Sequence, residues 1–204
     1  MIFADRREAG QRLANALAGH KGEKCLVLAL PRGGVPVGFE IAKALRCPLD
    51  TIVARKIGAP GNPEFAVGAI APGAVLLDVP RAGLEETIRE EEIEMKRRME
   101  KYKSDSYSEG LKPSVVIVVD DGVATGRTAR AALMATRKKY LDSKLVFAAP
   151  VGALDSVVEL RQYADEVVCL ETPPYFSAVG EWYEHFDQTT DEEVIDCLRH
   201  SARQ

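Results

Sequence analysis

Apolar residues in this chain fall into short runs, and the stretches between them repeat at three- and four-residue spacing. Cys25 to Leu30, Leu49 to Ala54, Val115 to Val119, Lys144 to Val151 and Glu166 to Leu170 read as strands. The purest run, Val-Val-Ile-Val-Val at 115–119, has no polar face, so it is expected to be buried on both sides. Helical spacing surrounds these runs. Asp5-Arg-Arg-Glu8 reads as a capping box opening a helix with Ala9, Leu13, Ala16 and Leu17 on one face. Further helices are predicted through Phe39, Ile41, Ala42 and Leu45, from Thr128 onward, over Asp155 to Tyr163, and from Asp191. Leu84 to Tyr102 reads as a long charged helix whose narrow stripe of Leu84, Ile88, Met95, Met99 and Tyr102 packs on its own domain or on a second copy in a homodimer. Phe65 to Ile70 and Ala74 to Leu77, either side of Pro72-Gly73, read as a hairpin, and Ser104 to Pro113 as a polar connector. The order β-α-β-insert-β-α-β-α-β predicts an α/β fold: a doubly wound, mainly parallel sheet of about five strands with a small cap. Residues 57–113 form the insert, and the chain is expected to be one domain over 1–204.

Composition narrows the function. With 46% hydrophobic and 28% charged residues the chain is globular, and its formal net charge of −4 supplies no basic field for nucleic acid. No apolar run approaches the roughly 20 residues that span a bilayer, and the first residues have no signal-peptide layout, so a cytoplasmic protein is expected. Cys25, Cys47, Cys169 and Cys197 are scattered without metal-ligand spacing and read as reduced thiols.

The chemistry lies where strands give way to helices. After Val119 come Asp120 and Asp121, then Gly-Val-Ala-Thr-Gly-Arg-Thr and a helix. In an open α/β sheet, ligands bind beyond the carboxyl ends of the strands, where loop amides and a helix N-terminus hold anions. The amides of Ala124 to Thr128, with the Thr125 and Thr128 hydroxyls, suit a phosphate monoester, and Gly122 and Gly126 are expected to permit close approach and positive φ. Asp120 and Asp121 suit a hydroxyl-rich group such as a ribose, with a divalent cation offsetting their charge. A second strand–turn–helix carries Arg32-Gly33-Gly34, whose bare backbone can present amides to a diphosphate while Arg32 adds charge-assisted bonds. Arg55 and Lys56 are placed at the carboxyl end of the next strand, where two cations suit a polyanion.

The run from Val115 to Thr128 resembles the ribose-phosphate signature of the type I phosphoribosyltransferases: hydrophobic strand, acidic pair, small-residue loop ending in Thr-Gly-x-Thr. The resemblance implies that Asp120 and Asp121 meet the 2- and 3-hydroxyls of phosphoribosyl pyrophosphate (PRPP) and that Ala124, Thr125, Gly126, Arg127 and Thr128 bind its 5-phosphate. It implies pyrophosphate contacts from Arg32, Gly33, Gly34, Arg55 and Lys56, with Asp120, Asp121, Arg32 and Lys56 as the catalytic set and Mg²⁺ held through PRPP with help from the two aspartates. The hairpin within 57–113 corresponds to a lid, and 171–190 to an aromatic hood whose Phe176, Trp182 and Tyr183 are candidates to stack a base, with Tyr175 and Phe186 beside them. The implied activity is transfer of a phosphoribosyl group from PRPP to a small base or amine in nucleotide metabolism. The alternative is a non-catalytic PRPP-binding regulator on the same fold. Two departures stand out. Gly122 replaces the usual branched aliphatic residue, and Ala124 replaces the acid with which the hypoxanthine/guanine branch meets its purine.

Overall fold

In the computed structural model, residues 2–103 and 110–201 are described. The elements in chain order are α1 (Arg6–Ala16), β1 (Cys25–Ala29), α2 (Gly34–Leu45), β2 (Leu49–Thr51), β3 (Arg55–Ala59), β4 (Asn62–Ala71), β5 (Ala74–Leu77) and α3 (Glu85–Lys101). There follow β6 (Val115–Val119), α4 (Arg127–Lys139), β7 (Lys144–Val151), α5 (Leu154–Leu160), β8 (Glu166–Glu171) and α6 (Asp191–Ser201). The expected polar connector at 104–113 lies mostly outside the described residues.

Five strands form one parallel sheet in the order β2-β1-β6-β7-β8, as the alternation predicted. Both faces are covered, which is why the strands read as continuous apolar runs. Val115, Ile117 and Val119 face a cluster with Leu13, Ile41 and Leu198 of α1, α2 and α6, while Val116 and Val118 face Leu133 of α4 and Leu160 of α5. At the start of α1, Asp5 caps the Glu8 amide at 2.8 Å. Glu8 returns its carboxylate to the Ala4 amide, one residue before the cap, so the box is reciprocal but offset. Ala14, rather than the expected Ala16, completes the buried face of that helix.

The insert departs from expectation in its first strand. β2 stops at Thr51, where its partner β1 ends (Ala29 pairs with Thr51), and the chain leaves the sheet. Arg55 and Lys56 therefore do not close β2 but open β3, in a separate antiparallel sheet ordered β3-β4-β5. The stretch 58–64, despite its glycines and prolines, is mostly strand. Only Pro60-Gly61 separates β3 from β4, and Gly61 takes a φ of 77°. The hairpin expected at 65–77 is present as β4 and β5. This small sheet has its own packing. Ala69, Ala71 and Ala74 join the cluster that contains α4, and Ile57, Val67 and Ile70 pack in the cluster with Leu84, Ile88 and Met95. The α3 stripe is thus buried within its own chain, apart from Met99, which is exposed. Among the described residues no helix is long and apolar enough to cross a membrane.

Candidate active site

The sheet order reverses between β1 and β6. From β1 the chain moves outward to β2, and from β6 it moves the other way to β7 and β8. Such a switch point leaves a crevice beyond the carboxyl ends of the two strands. The turns after β1 and β6 therefore open side by side: Ala29 pairs with Val119, and the Leu30 amide donates to the Val119 carbonyl at 2.8 Å. Their approach is close enough to require glycine. A Cβ on Gly34 would lie 2.8 Å from the Val119 oxygen and 3.0 Å from the Asp120 Cα; one on Gly33 would lie 1.9 Å from Asp121 Oδ2. Neither glycine has positive φ, so contact rather than backbone conformation demands them. The Pro31–Arg32 peptide in this turn is cis.

Beyond β6, the Asp120 amide donates to Ala148 of β7 and the Val123 amide to Val151. Buried Val123 thereby anchors the start of the loop, while Ala124 and Thr125 stay exposed. Gly126, at φ 68°, is the N-cap of α4 and has no side chain to cap the first-turn amides of that helix. Ser156 Oγ donates to the Ala124 carbonyl at 2.6 Å and braces the loop from α5. Gly122, by contrast, does not have positive φ. Its missing Cβ makes room for Val179, whose Cγ1 would sit 2.4 Å from any Cβ there. The departure noted at this position thus has a tertiary cause. Arg127, placed by sequence among phosphate ligands, donates Nε to Asp78 Oδ2 at 2.5 Å. Arg130 reaches Asp78 and Glu159. Burial works against the charge on Asp78, but its bonds from Arg127 and Arg130 outweigh that and hold the carboxyl below its usual range.

The acidic pair is divided by its surroundings. Burial first, and then the charge of Asp121, push the Asp120 carboxyl well above the normal carboxylate range. Asp121 Oδ2 instead accepts from Arg6 Nε at 2.7 Å. The same guanidinium donates Nη1 to the Asp187 carbonyl at 2.7 Å and lies over the Phe186 ring at 3.9 Å. Tyr183 Oη donates to the Asp121 carbonyl at 2.6 Å. Sequence reasoning missed Arg6 altogether, because its only local signal was a place inside a capping box at the far end of the chain.

The other predicted residues are distributed as follows. Arg32 stands near enough to Asp191 and Tyr102 for its charge to act on both, at the junction of α3 and α6. Arg55 pairs with Glu91 of α3 at 2.5 Å and Lys56 is exposed on the same strand, so both are carried by β3 of the small sheet and not by the end of β2. In the tail, Phe176 and Trp182 are half-buried against Phe3, Ala9 and Val151. Tyr183 is 6% exposed, with its ring 5.6 Å from Phe3 and 5.0 Å from Phe186. It is an anchoring residue, which corrects the expectation that it offers a face to a base. Tyr175 projects into solvent at 91% exposure. The four cysteines are free thiols, and burial pushes Cys47 up to about 12. No cluster of three or more metal-ligating side chains occurs among the described residues. Two adjacent carboxylates are nonetheless hard oxygen donors of the kind that share Mg²⁺ with substrate phosphates.

Residues 5–185 match the family model described as phosphoribosyl transferase domain. The Mycobacterium tuberculosis protein named "Putative phosphoribosyl transferase Rv0571c" is 44% identical over 211 aligned residues, covering 99% of this chain. The chain spans 47% of that relative's length. The crystal structure of TT1426 from Thermus thermophilus superposes with a TM-score of 0.81 at 40% identity, covering 99% of this chain and 100% of that one. An adenine phosphoribosyl transferase from Trypanosoma brucei, solved with AMP, pyrophosphate and ribose-5-phosphate, shares the fold. Its TM-score is 0.51 at 15% identity, over 90% of this chain and 71% of that one.

Proposed function

The chain belongs to the phosphoribosyl transferase domain family, and from that premise we propose that it transfers the 5-phosphoribosyl group of PRPP to a nitrogen of a small base or amine. The observation that carries this reading is the contact between the two turns, with Gly33 and Gly34 lying directly against Asp121 and Asp120. A ligand with a phosphate at each end and a sugar between them fits two anion-binding turns separated by an acidic pair.

In this reading the 5-phosphate rests on Ala124, Thr125, Gly126, Arg127 and Thr128, where the uncapped amides of the α4 N-terminus supply donors. Arg127 exchanges Asp78 for the phosphate. Asp120 and Asp121 take the 2- and 3-hydroxyls. The diphosphate lies along Arg32, Gly33 and Gly34, with Lys56 and Arg55 reaching in from β3. When the C1–O bond to pyrophosphate breaks, both electrons leave with the pyrophosphate, and the acceptor nitrogen forms the new C1–N bond and gives up its proton. Positive charge develops on the sugar, so the carboxylates below it and the cations at the leaving group lower the barrier chiefly by preorganised electrostatics. Mg²⁺, held by the diphosphate and sugar hydroxyls with Asp120 and Asp121, would neutralise the leaving group further. Phe176 and Trp182 remain the candidates to flank the acceptor. The free thiols fit a reducing cytoplasm.

The test is pyrophosphate release from PRPP and Mg²⁺ over a panel of purine and pyrimidine bases and simple amines. Release with one acceptor, abolished in Asp121→Asn, is expected. Tight PRPP binding without turnover on any acceptor would overturn the catalytic reading in favour of a regulator.

A further inference from the structure

We propose that Arg6 is a positioning residue for the sugar-binding carboxylate: it orients Asp121 toward the ligand and locks that carboxylate to the hood. The inference rests on the PRPP reading above and extends it to a residue of the N-terminal helix.

Three contacts converge on this one guanidinium, and the Gly33 backbone leaves room for it. Nε holds Asp121 Oδ2 at 2.7 Å, Nη1 holds the Asp187 carbonyl at 2.7 Å, the plane stacks on Phe186 at 3.9 Å, and a Cβ on Gly33 would lie 3.0 Å from Nε. The side chain is 12% exposed, so the group is held rather than waving in solvent. Two donors in a fixed plane, plus a ring against its face, leave the guanidinium little rotational choice. The carboxylate it binds is therefore aimed as well. Electrostatics gives the contact a purpose. Asp120 and Asp121 are consecutive carboxyls at a site meant for a polyanion, and an unopposed pair would repel both each other and the incoming phosphates. A cation on Asp121, seated beside the Gly33 turn, relieves that repulsion. The hood is tied to the same spot by two further links, Tyr183 Oη on the Asp121 carbonyl and Val179 over Gly122. The sugar site and the hood that would cover an acceptor thus share one mechanical joint, with Arg6 as its charged member.

A residue that merely clamped the hood would make the first contacts but would act independently of the Asp121 carboxylate. A double-mutant cycle on PRPP affinity separates the two roles. PRPP with Mg²⁺ is titrated calorimetrically into the wild type, Arg6→Gln, Asp121→Asn and the double variant, with Arg6→Lys as a fifth protein. Trp182, the sole tryptophan, sits in the hood and reports its environment in each protein by fluorescence. Arg6→Gln is expected to weaken PRPP binding about tenfold or more, the range for losing a buried charge-assisted bond, with Arg6→Lys in between because it keeps charge but not the fork. In the Asp121→Asn background the same Arg6→Gln change should cost less than about twofold. Equal losses in both backgrounds, or an Arg6→Gln variant that binds as tightly as wild type, would overturn the proposal. Should Arg6→Gln not fold, the cycle is run with Arg6→Lys under the same criteria. A folded wild type that ignores PRPP would instead bring down the parent reading, and is recognised because no variant is needed to see it.

Discussion

Replacing Gly122 with valine asks directly whether the hood is seated on the acidic turn. An ideal Cβ at this position falls 2.4, 2.8 and 3.1 Å from Cγ1, Cγ2 and Cβ of Val179. Carbon atoms prefer separations of roughly 3.5–4.0 Å, so Val179 must retreat by about 1 Å before the added methyl groups are considered. Val179 belongs to the short 3-10 turn that leads into Trp182, whose carbonyl accepts the Phe3 amide at 2.8 Å, and then into Tyr183 on the Asp121 carbonyl. A retreat therefore strains both attachments of the hood. Overpacking of this kind costs about 1–3 kcal/mol, and at about 2–4 °C of Tm per kcal/mol for a chain of this size the variant should melt about 2–12 °C lower. Differential scanning calorimetry gives the Tm, and Trp182 fluorescence should shift toward a more exposed environment. Val179→Ala removes both offending methyl carbons. The double variant Gly122→Val with Val179→Ala should therefore recover most of the loss, whereas two independent sites would simply add. A Gly122→Val protein with unchanged Tm, or a double variant no better than the sum of its singles, would refute the steric account of this glycine.

Two further outcomes follow from the geometry. A Cβ added by Gly33→Ala would lie 1.9 Å from Asp121 Oδ2 and 3.0 Å from Arg6 Nε, so the carboxylate must shift and its bond to Arg6 is strained; Tm should fall by about 2–12 °C and PRPP affinity by about tenfold or more, and an unaffected titration would contradict the close packing of the two turns. Asp165 is held below its usual range first by the Leu145 amide at 2.7 Å, then, against some burial, by Arg137 at 2.6 Å. A depressed folded-state value stabilises the protein above the unfolded pKa and loses that contribution as pH falls through the folded value, so the Tm of Asp165→Asn should decline less steeply than wild type below about pH 4, and parallel melting curves from pH 7 to pH 3 would exclude this role.

Much of the sheet was legible because its signal is local. A run such as Val115 to Val119 can satisfy its backbone and bury both faces only as an inner parallel strand, so the run itself points to the architecture. The boundaries that failed lay where pairing decides. β2 ends at Thr51 because β1 offers no further partner, and β4 begins at Asn62, before the expected Phe65, because it pairs with β3. The same division holds at the site. The turn from Asp120-Asp121 to Thr128 was readable because a strand-to-helix turn is contiguous in sequence, its amides following one another along the backbone.

By itself, then, the sequence determined the α/β alternation, the two glycine-bearing strand-to-helix turns and the acidic pair between them, since each depends on neighbours a few residues away. Only the tertiary structure decided which residues surround that pair. Arg6 reaches Asp121 across 115 positions and Tyr183 reaches it across 62, while Val179 fills the space left by Gly122. Those partners are selected by where the sheet brings distant segments together, and a side chain carries no local mark of the charge it will meet there.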